Sequence, residues 1–327
     1  MTTTKSTTTR NNQTSRQKVE GMAGAVSSFS CTRHRIHMKH SHCVRARVLS
    51  LVCGTLLSCT RLPIPEDWLG TPPLLPDETS PYAAVPYTDP QTLETLRTGI
   101  RYIIHAAGEM DGTVGSNSME GLENAYDAGD RYVELDFNFT SDGHLACIHD
   151  WYVEYTSAIP ENGHALTLAE FRAAKIYDRL TPLDLDTLAD FMAEHDDLYI
   201  ITDIKDDNIA GLTYIAEAYP ELQSRFIPQI YAGDEYDPVR ALGYEYVIYT
   251  LYRLDWNSKT DTRALCEYAA GHPLLAFTFS YELCAVEGYV DGMLQSGIPL
   301  YIHTVNDPAE MESYLALGIT GFYTDIP

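Results

Sequence analysis

The sequence predicts an α/β protein of the (β/α)8 TIM barrel class, preceded by a disordered, signal-like N-terminal region. From residue 99 onward, eight short runs rich in β-branched and aromatic residues alternate with helix-period segments, the pattern of βα units and a parallel sheet. Eight strands close a parallel barrel, and no GxGxxG follows the first run to favour an open doubly wound sheet. At 327 residues and 45% hydrophobic content the chain can bury one large core or two small ones, and neither a disordered nor a fibrous class fits.

The candidate strands are "RYIIHA" (101–106), "RYVELDF" (131–137), "LYIITDIK" (198–205), "RFIPQIY" (225–231), "YEYVIYTLY" (244–252), "LLAFTFS" (274–280), "PLYIHTV" (299–305) and "GFYTD" (321–325). Between them, "SMEGLENAYDAG" closes on Gly129, "LDTLADFMAEHD" precedes the third strand and "NIAGLTYIAEAYPEL" follows it. "DPAEMESYLALG" has Asp307 as N-cap, Pro308 in its first turn and Gly318 as C-cap. The longest interruption, residues 150–183, is expected to carry its own hairpin arm and the helical "LTLAEFRAAK".

Charge divides the chain. Residues 1–58 hold nine Lys/Arg and one acid, so the remainder carries 13 bases against 45 acids, a net charge near −32. Such a body is a poor partner for nucleic acid or an anionic membrane. Residues 1–37 read as a disordered extension, or as sequence upstream of a true start at Met38. Residues 38–59 have the layout of a signal peptide: a basic stretch through Arg47, the apolar run Val48–Leu57, then Ser58 and Cys59. The run is too short to span a bilayer. "LLSC" resembles a bacterial lipoprotein signal, so Cys59 is the expected lipid anchor and the expected location is extracytoplasmic, membrane-anchored or secreted. Residues 60–98 read as a Pro-rich tether and 99–327 as the barrel, a monomer. Cys147, Cys266 and Cys284 match no zinc spacing; buried free thiols are expected, with a Cys266–Cys284 disulfide as the alternative.

The chemistry centres on "VELDFNFTSDGHLACIHD", residues 133–150, where Val133, Leu135 and Phe137 alternate with Glu134, Asp136 and Asn138. Alone this describes a strand with one wet face. In a closed barrel both faces are covered, so Glu134 and Asp136 must point inward near the mouth, where paired like charges need a compensating cation or base. "IITDIKDD" puts Asp203 and Lys205 on one face at the C-terminal end of the third strand, the end that carries active sites in such barrels. Three carboxylates from two neighbouring strands make an all-oxygen site suited to one divalent cation, Mg²⁺ or Ca²⁺. Lys205 would repel that cation, and so is assigned to an anionic group held by it. His105 ends the first strand, and the turn "TSDG" sends the chain back so that His149 approaches the same cluster. Two such histidines can take a proton from a nucleophilic hydroxyl and give one to a leaving oxygen.

Together these residues resemble the glycerophosphodiester phosphodiesterase family. "HAAG" at His105, the helix start Asn117–Ser118, "ELDFNFTSDGHLACIHD", "DIK", "TVND" at 304–307 and "GFYTDIP" match its elements in order from residue 105 to 327. The resemblance implies that His105 and His149 form the acid/base pair and that Glu134, Asp136 and Asp203 bind the cation. It assigns Lys205 to the substrate phosphate and Asn117 to positioning it. The implied reaction is metal-dependent hydrolysis of a small glycerophosphodiester to glycerol phosphate and an alcohol.

Three positions depart from the family pattern. Ala106 stands where an arginine is usual and removes a phosphate ligand; Asp203 replaces the commoner glutamate, as in the sphingomyelinase D branch; His303 replaces a tryptophan and alters the pocket wall. The alternatives are a phospholipase of the sphingomyelinase D or phosphoinositide-specific phospholipase C type, and a non-catalytic surface-binding barrel. No basic amphipathic stretch for membrane docking follows residue 59, which weighs against the lipid-active forms.

Overall fold

Each of the eight predicted runs contains a strand, and the strands close into a barrel in the computed structural model, which describes residues 90–152 and 155–326. In chain order they are β1 (Tyr102–Ile104), β2 (Tyr132–Phe139), β3 (Leu145–Cys147), β4 (Tyr199–Ile204), β5 (Phe226–Ile230), β6 (Ile248–Thr250), β7 (Ala276–Ser280), β8 (Leu300–His303) and β9 (Gly321–Thr324). All pair in parallel except β3, a short arm lying antiparallel on β2 through Phe137↔Cys147 and Phe139↔Leu145. The order β1-β9-β8-β7-β6-β5-β4-β2 closes through the pairing Ile104↔Val133.

Strand alternation sorts the side chains into two apolar layers. Val133, Leu135, Phe137, Ile200 and Phe277 face outward and pack with helix residues such as Leu122 and Leu212. Ile103, Ile201, Ile227, Ile248 and Tyr301 fill the barrel interior. The register Glu134↔Ile201 and Asp136↔Asp203 therefore directs all three acids inward. The predicted helices form at Met119–Ala128, Leu185–Glu194, Asn208–Ala218 and Pro308–Ala316. Their ends follow the expected chemistry: Ser118 accepts from Gly121 N–H, Gly129 adopts φ +105°, and Asp307 accepts from Ala309 N–H.

The last part of the stretch assigned to a tether, residues 60–98, is a helix, Pro90–Gly99, and the rest of that stretch lies outside the described residues. Leu93 is buried with Ile100 in the interior core, and the Arg97 guanidinium donates to the Leu274 carbonyl, so the helix covers the N-terminal end of the barrel. The polar stretch hid this because few apolar residues are needed to seal a narrow opening. The extension, signal peptide and lipid anchor expected at residues 1–59 lie outside the described residues.

The hairpin arm expected within 150–183 lies earlier, as β3, where the Thr140–Gly143 turn reverses the chain. The described residues of 150–183 include a bridged turn, Ile176 to Leu180, a bridge from Pro182 to Ser118, and the helix Leu168–Ala173 with Thr167 and Glu170 forming a reciprocal cap. This insert has its own small core of Trp151, Ile159, Phe171 and Ile176. Arg172 fastens it to the barrel with paired bonds to Asp184 at 2.7 and 2.8 Å. Cys147, Cys266 and Cys284 are all free, and no helix among the described residues is long and apolar enough to cross a membrane.

Gly321 tests the closure. A Cβ there would lie 2.5 Å from the Tyr301 ring and 2.6 Å from the Arg101 carbonyl oxygen, and the carbonyl belongs to backbone that cannot yield cheaply. Gly321→Ala is expected to cost about 1–3 kcal/mol in urea unfolding; an unchanged midpoint contradicts the tight β9 packing. Asp184 gives a pH test. Burial works to raise its carboxyl, but the Arg172 pair and the Thr187 N–H outweigh burial and hold it below its ordinary value of 3.8. A carboxyl lowered by folding stabilises fully above its unfolded value, and that contribution is lost as pH falls through the folded value. Stability should therefore fall with acidification below about pH 4, and Arg172→Met should flatten that fall in unfolding curves taken across the range.

Candidate active site

At the C-terminal end of the barrel, β2 supplies Glu134 and Asp136 and β4 supplies Asp203. All three are buried, and one oxygen of each lies within 4.8 Å of the others. Each is held by a different device. Glu134 accepts from the Ala106 N–H at 2.9 Å, presented by a tight turn in which Ala106 and Ala107 both adopt positive φ. Asp203 accepts from the hydroxyls of Tyr231 and Tyr252, the latter at 2.9 Å. Asp136 is clamped by Asn117, whose Nδ2 donates to Oδ2 at 2.8 Å while its Oδ1 accepts from the Asp136 N–H at 2.9 Å.

Lys205 is the ammonium among these acids, 2.7 Å from Asp136 and 2.9 Å from Asp203. Burial and the neighbouring Asp136 charge push the Glu134 carboxyl up to about 8, against the opposing pull of His105 and Lys205. The donor set is all oxygen, buried and anionic, and it fits a hard divalent cation. Both residues assigned to the phosphate also touch the acids. Lys205 is paired with Asp136 and Asp203, which leaves one of its three N–H donors over. Asn117 is fully buried and its amide clamps Asp136 through one Nδ2 N–H and Oδ1, so it positions a carboxylate.

The two histidines are placed differently. His105 follows β1, and its Nδ1 donates to Asp325 Oδ1 at 2.7 Å. Asp325 is fixed in turn by Asn306, which donates to Oδ2 at 2.7 Å and accepts from the Asp325 N–H at 2.8 Å. This chain orients the ring and leaves Nε2 without a hydrogen bond among the described residues. Burial lowers the imidazole, but the Asp325 bond and the charges of Glu134 and Asp136 raise it further, to about 9. His149 lies beyond β3, with Nδ1 donating to Asp150 and its carbonyl accepting from Asn138 Nδ2 at 3.2 Å. Its ring makes no hydrogen bond to the carboxylates among the described residues.

Five residues of the site escaped the sequence reading: Tyr231, Tyr252, Arg253, Asn306 and Asp325. Strand parity reveals three of them, because Ile227 and Ile248 face inward, and Tyr231, Tyr252 and Asp325 share the inward phase of their strands. His303 is also inward, with a buried Nε2 that has no hydrogen-bond partner. Burial and the nearby positive charges of His105 and Lys205 lower its imidazole to about 4, so it is neutral at physiological pH.

The Asn117 clamp makes a discriminating prediction. A group that orients a metal ligand typically contributes roughly 10- to 100-fold to metal affinity. Asn117→Ala should weaken Mg²⁺ or Ca²⁺ binding by about that factor in calorimetry, whereas a raised KM with unchanged cation affinity would return Asn117 to the substrate.

Comparison with known proteins agrees with this architecture. Residues 105–327 match the profile of the glycerophosphoryl diester phosphodiesterase family. A glycerophosphodiester phosphodiesterase from Thermotoga maritima superimposes with a TM-score of 0.55 at 20% identity, over 69% of this chain and 94% of that one. A phosphodiesterase from Oleispira antarctica, solved with the product sn-glycerol-3-phosphate, gives 0.54 at 17% identity over 70% and 94%. A glycerophosphodiester phosphodiesterase from Parabacteroides distasonis gives 0.53 at 19% identity over 69% and 93%. No curated protein matches the sequence. The family profile spans about two-thirds of the sequence, from the turn that carries His105 to the last residue, and the chain belongs to the glycerophosphoryl diester phosphodiesterase family of phosphodiester-hydrolysing enzymes.

Proposed function

We propose that this protein hydrolyses glycerophosphodiesters to glycerol phosphate and an alcohol, using one divalent cation, Mg²⁺ or Ca²⁺, at Glu134, Asp136 and Asp203. The observation that carries the reading is the meeting, at one barrel mouth, of three buried carboxylates with a histidine locked through Nδ1 by Asp325. A cation bound by these acids would polarise the phosphodiester and stabilise the charge that develops on its oxygens. The remaining work belongs to the chain. His105, oriented by Asp325, presents Nε2 for proton transfer, and His149, backed by Asp150, is its partner. One imidazole takes the proton of the attacking water or glycerol hydroxyl as the new P–O bond forms, and the other gives a proton to the alcohol oxygen as the old P–O bond breaks. Attack by water yields glycerol phosphate directly, whereas attack by the glycerol hydroxyl yields a cyclic glycerol phosphate that water then opens, the two imidazoles exchanging roles. Lys205 restrains Asp136 and Asp203, keeping their oxygens converged.

The same reading places the protein outside the cytoplasm. Its support is the basic, apolar and cysteine-ended order of residues 38–59, which would anchor the barrel near lipid through Cys59.

Turnover of glycerophosphocholine followed by phosphorus NMR tests the chemistry. Glycerol phosphate should appear with Mg²⁺ or Ca²⁺ present and stop on addition of EDTA. His105→Ala should lower kcat by about 10²- to 10⁴-fold. Turnover that survives both EDTA and His105→Ala contradicts the mechanism, and a cyclic phosphate released from a phospholipid would move the assignment to the phospholipase reading.

A further inference from the structure

The phosphate of a glycerophosphodiester brings negative charge to a mouth already rich in acids. Ala106 contributes only a buried methyl group, and Lys205 divides its charge between Asp136 and Asp203. A further basic side chain at this rim is Arg253, just beyond β6. Its guanidinium carbon sits 3.5 Å from the centre of the Tyr231 ring, in stacking contact. Nε donates to the Tyr252 hydroxyl at 3.1 Å, and Nη2 donates to the Ile204 carbonyl at 2.9 Å. Nη2 also lies 3.8 Å from Asp203 Oδ1. Nη1 has no hydrogen-bond partner among the described residues, and the side chain is about a third exposed.

The Nε–Nη2 edge of this guanidinium is thus fixed by protein, with Nη2 facing Asp203, while Nη1 is left for a ligand. The two tyrosines that hold it are the same two whose hydroxyls donate to Asp203. That arrangement is rigid before any ligand arrives, which lowers the entropy lost on binding. A planar, permanently charged fork suits a phosphate oxygen better than an uncharged partner does.

We infer that Arg253 is a phosphate-binding residue of this site, donating from Nη1 to a non-bridging oxygen of the substrate. The assignment rests on the phosphodiesterase reading above. A purely structural alternative exists, in which Arg253 only braces Tyr231 and Tyr252 against Asp203, and the two roles separate in measurement. Calorimetry with sn-glycerol 3-phosphate and, separately, with Mg²⁺ or Ca²⁺ alone should be run on the wild type, Arg253→Met and Arg253→Lys, beside KM for glycerophosphocholine. Loss of a hydrogen bond to a charged group predicts glycerol phosphate binding and KM weakened about 10- to 100-fold in Arg253→Met. Arg253→Lys should recover part of that loss, with cation affinity unchanged in both variants. Unaltered glycerol phosphate affinity, or a parallel loss of cation affinity, would overturn the assignment while leaving the functional reading intact. A wild type that neither turns over the diester nor binds glycerol phosphate would overturn both.

Discussion

Glu134, Asp136 and Asp203 crowd three buried carboxylates together so that one oxygen of each lies within 4.8 Å of the others, and Lys205 is the ammonium set among them. Like charges at that spacing in a low-dielectric interior are costly unless opposed. Much of the surrounding structure answers that repulsion. Asn117 and the Ala106 N–H donate to Asp136 and Glu134, and Tyr231 and Tyr252 donate to Asp203. Even so, Glu134 retains a carboxyl raised to about 8 by burial and by Asp136. A divalent cation among these oxygens would favour the ionised form of Glu134, and a bound cation is in turn what would draw a phosphodiester to an otherwise acidic protein.

The barrel makes such crowding possible. Parallel strands in register place Asp136 beside Asp203, and the alternation that sends Val133 and Leu135 outward sends Glu134 and Asp136 inward. The hydrophobic layer under the helices holds those strands fixed, so the acids cannot separate to relieve their repulsion. His105 and Asp325 come from opposite ends of the barrel sequence, just after β1 and just after β9, and meet because those strands are neighbours. The β1–β9 pairing therefore also brings His105 to the carboxylate that orients it. Arg253 extends the same logic across the mouth, since it rests on the tyrosines that orient Asp203.

The strands were legible because each is a short apolar run with a clear period, and eight of them leave few architectures open. Inward placement of Glu134, Asp136 and Asp203 was legible for the same reason: parity on adjacent strands is a local property. What side chains do with one another was not. Asn117 is assigned to the phosphate from its place at a helix start, and its clamp on Asp136 is visible only in the fold. Lys205 shared a face with Asp203, but pairing with Asp136 requires the neighbouring strand to be in register. Asp325 lay in a quoted motif without a role, because its partner His105 is 220 residues away in the chain. The helix at Pro90–Gly99 was hidden in a polar, Pro-rich setting, and only the open end of the barrel explains why Leu93 is buried there.

The central claim is that the convergent oxygens of Glu134, Asp136 and Asp203 bind a divalent cation. Diffraction from crystals soaked in Mn²⁺, recorded with anomalous scattering, tests it without reference to turnover. The account predicts an anomalous peak within coordination distance, roughly 2.0–2.6 Å for hard divalent cations, of an oxygen from each of the three residues. A barrel mouth with no peak, and with Lys205 still bridging Asp136 and Asp203, would contradict it.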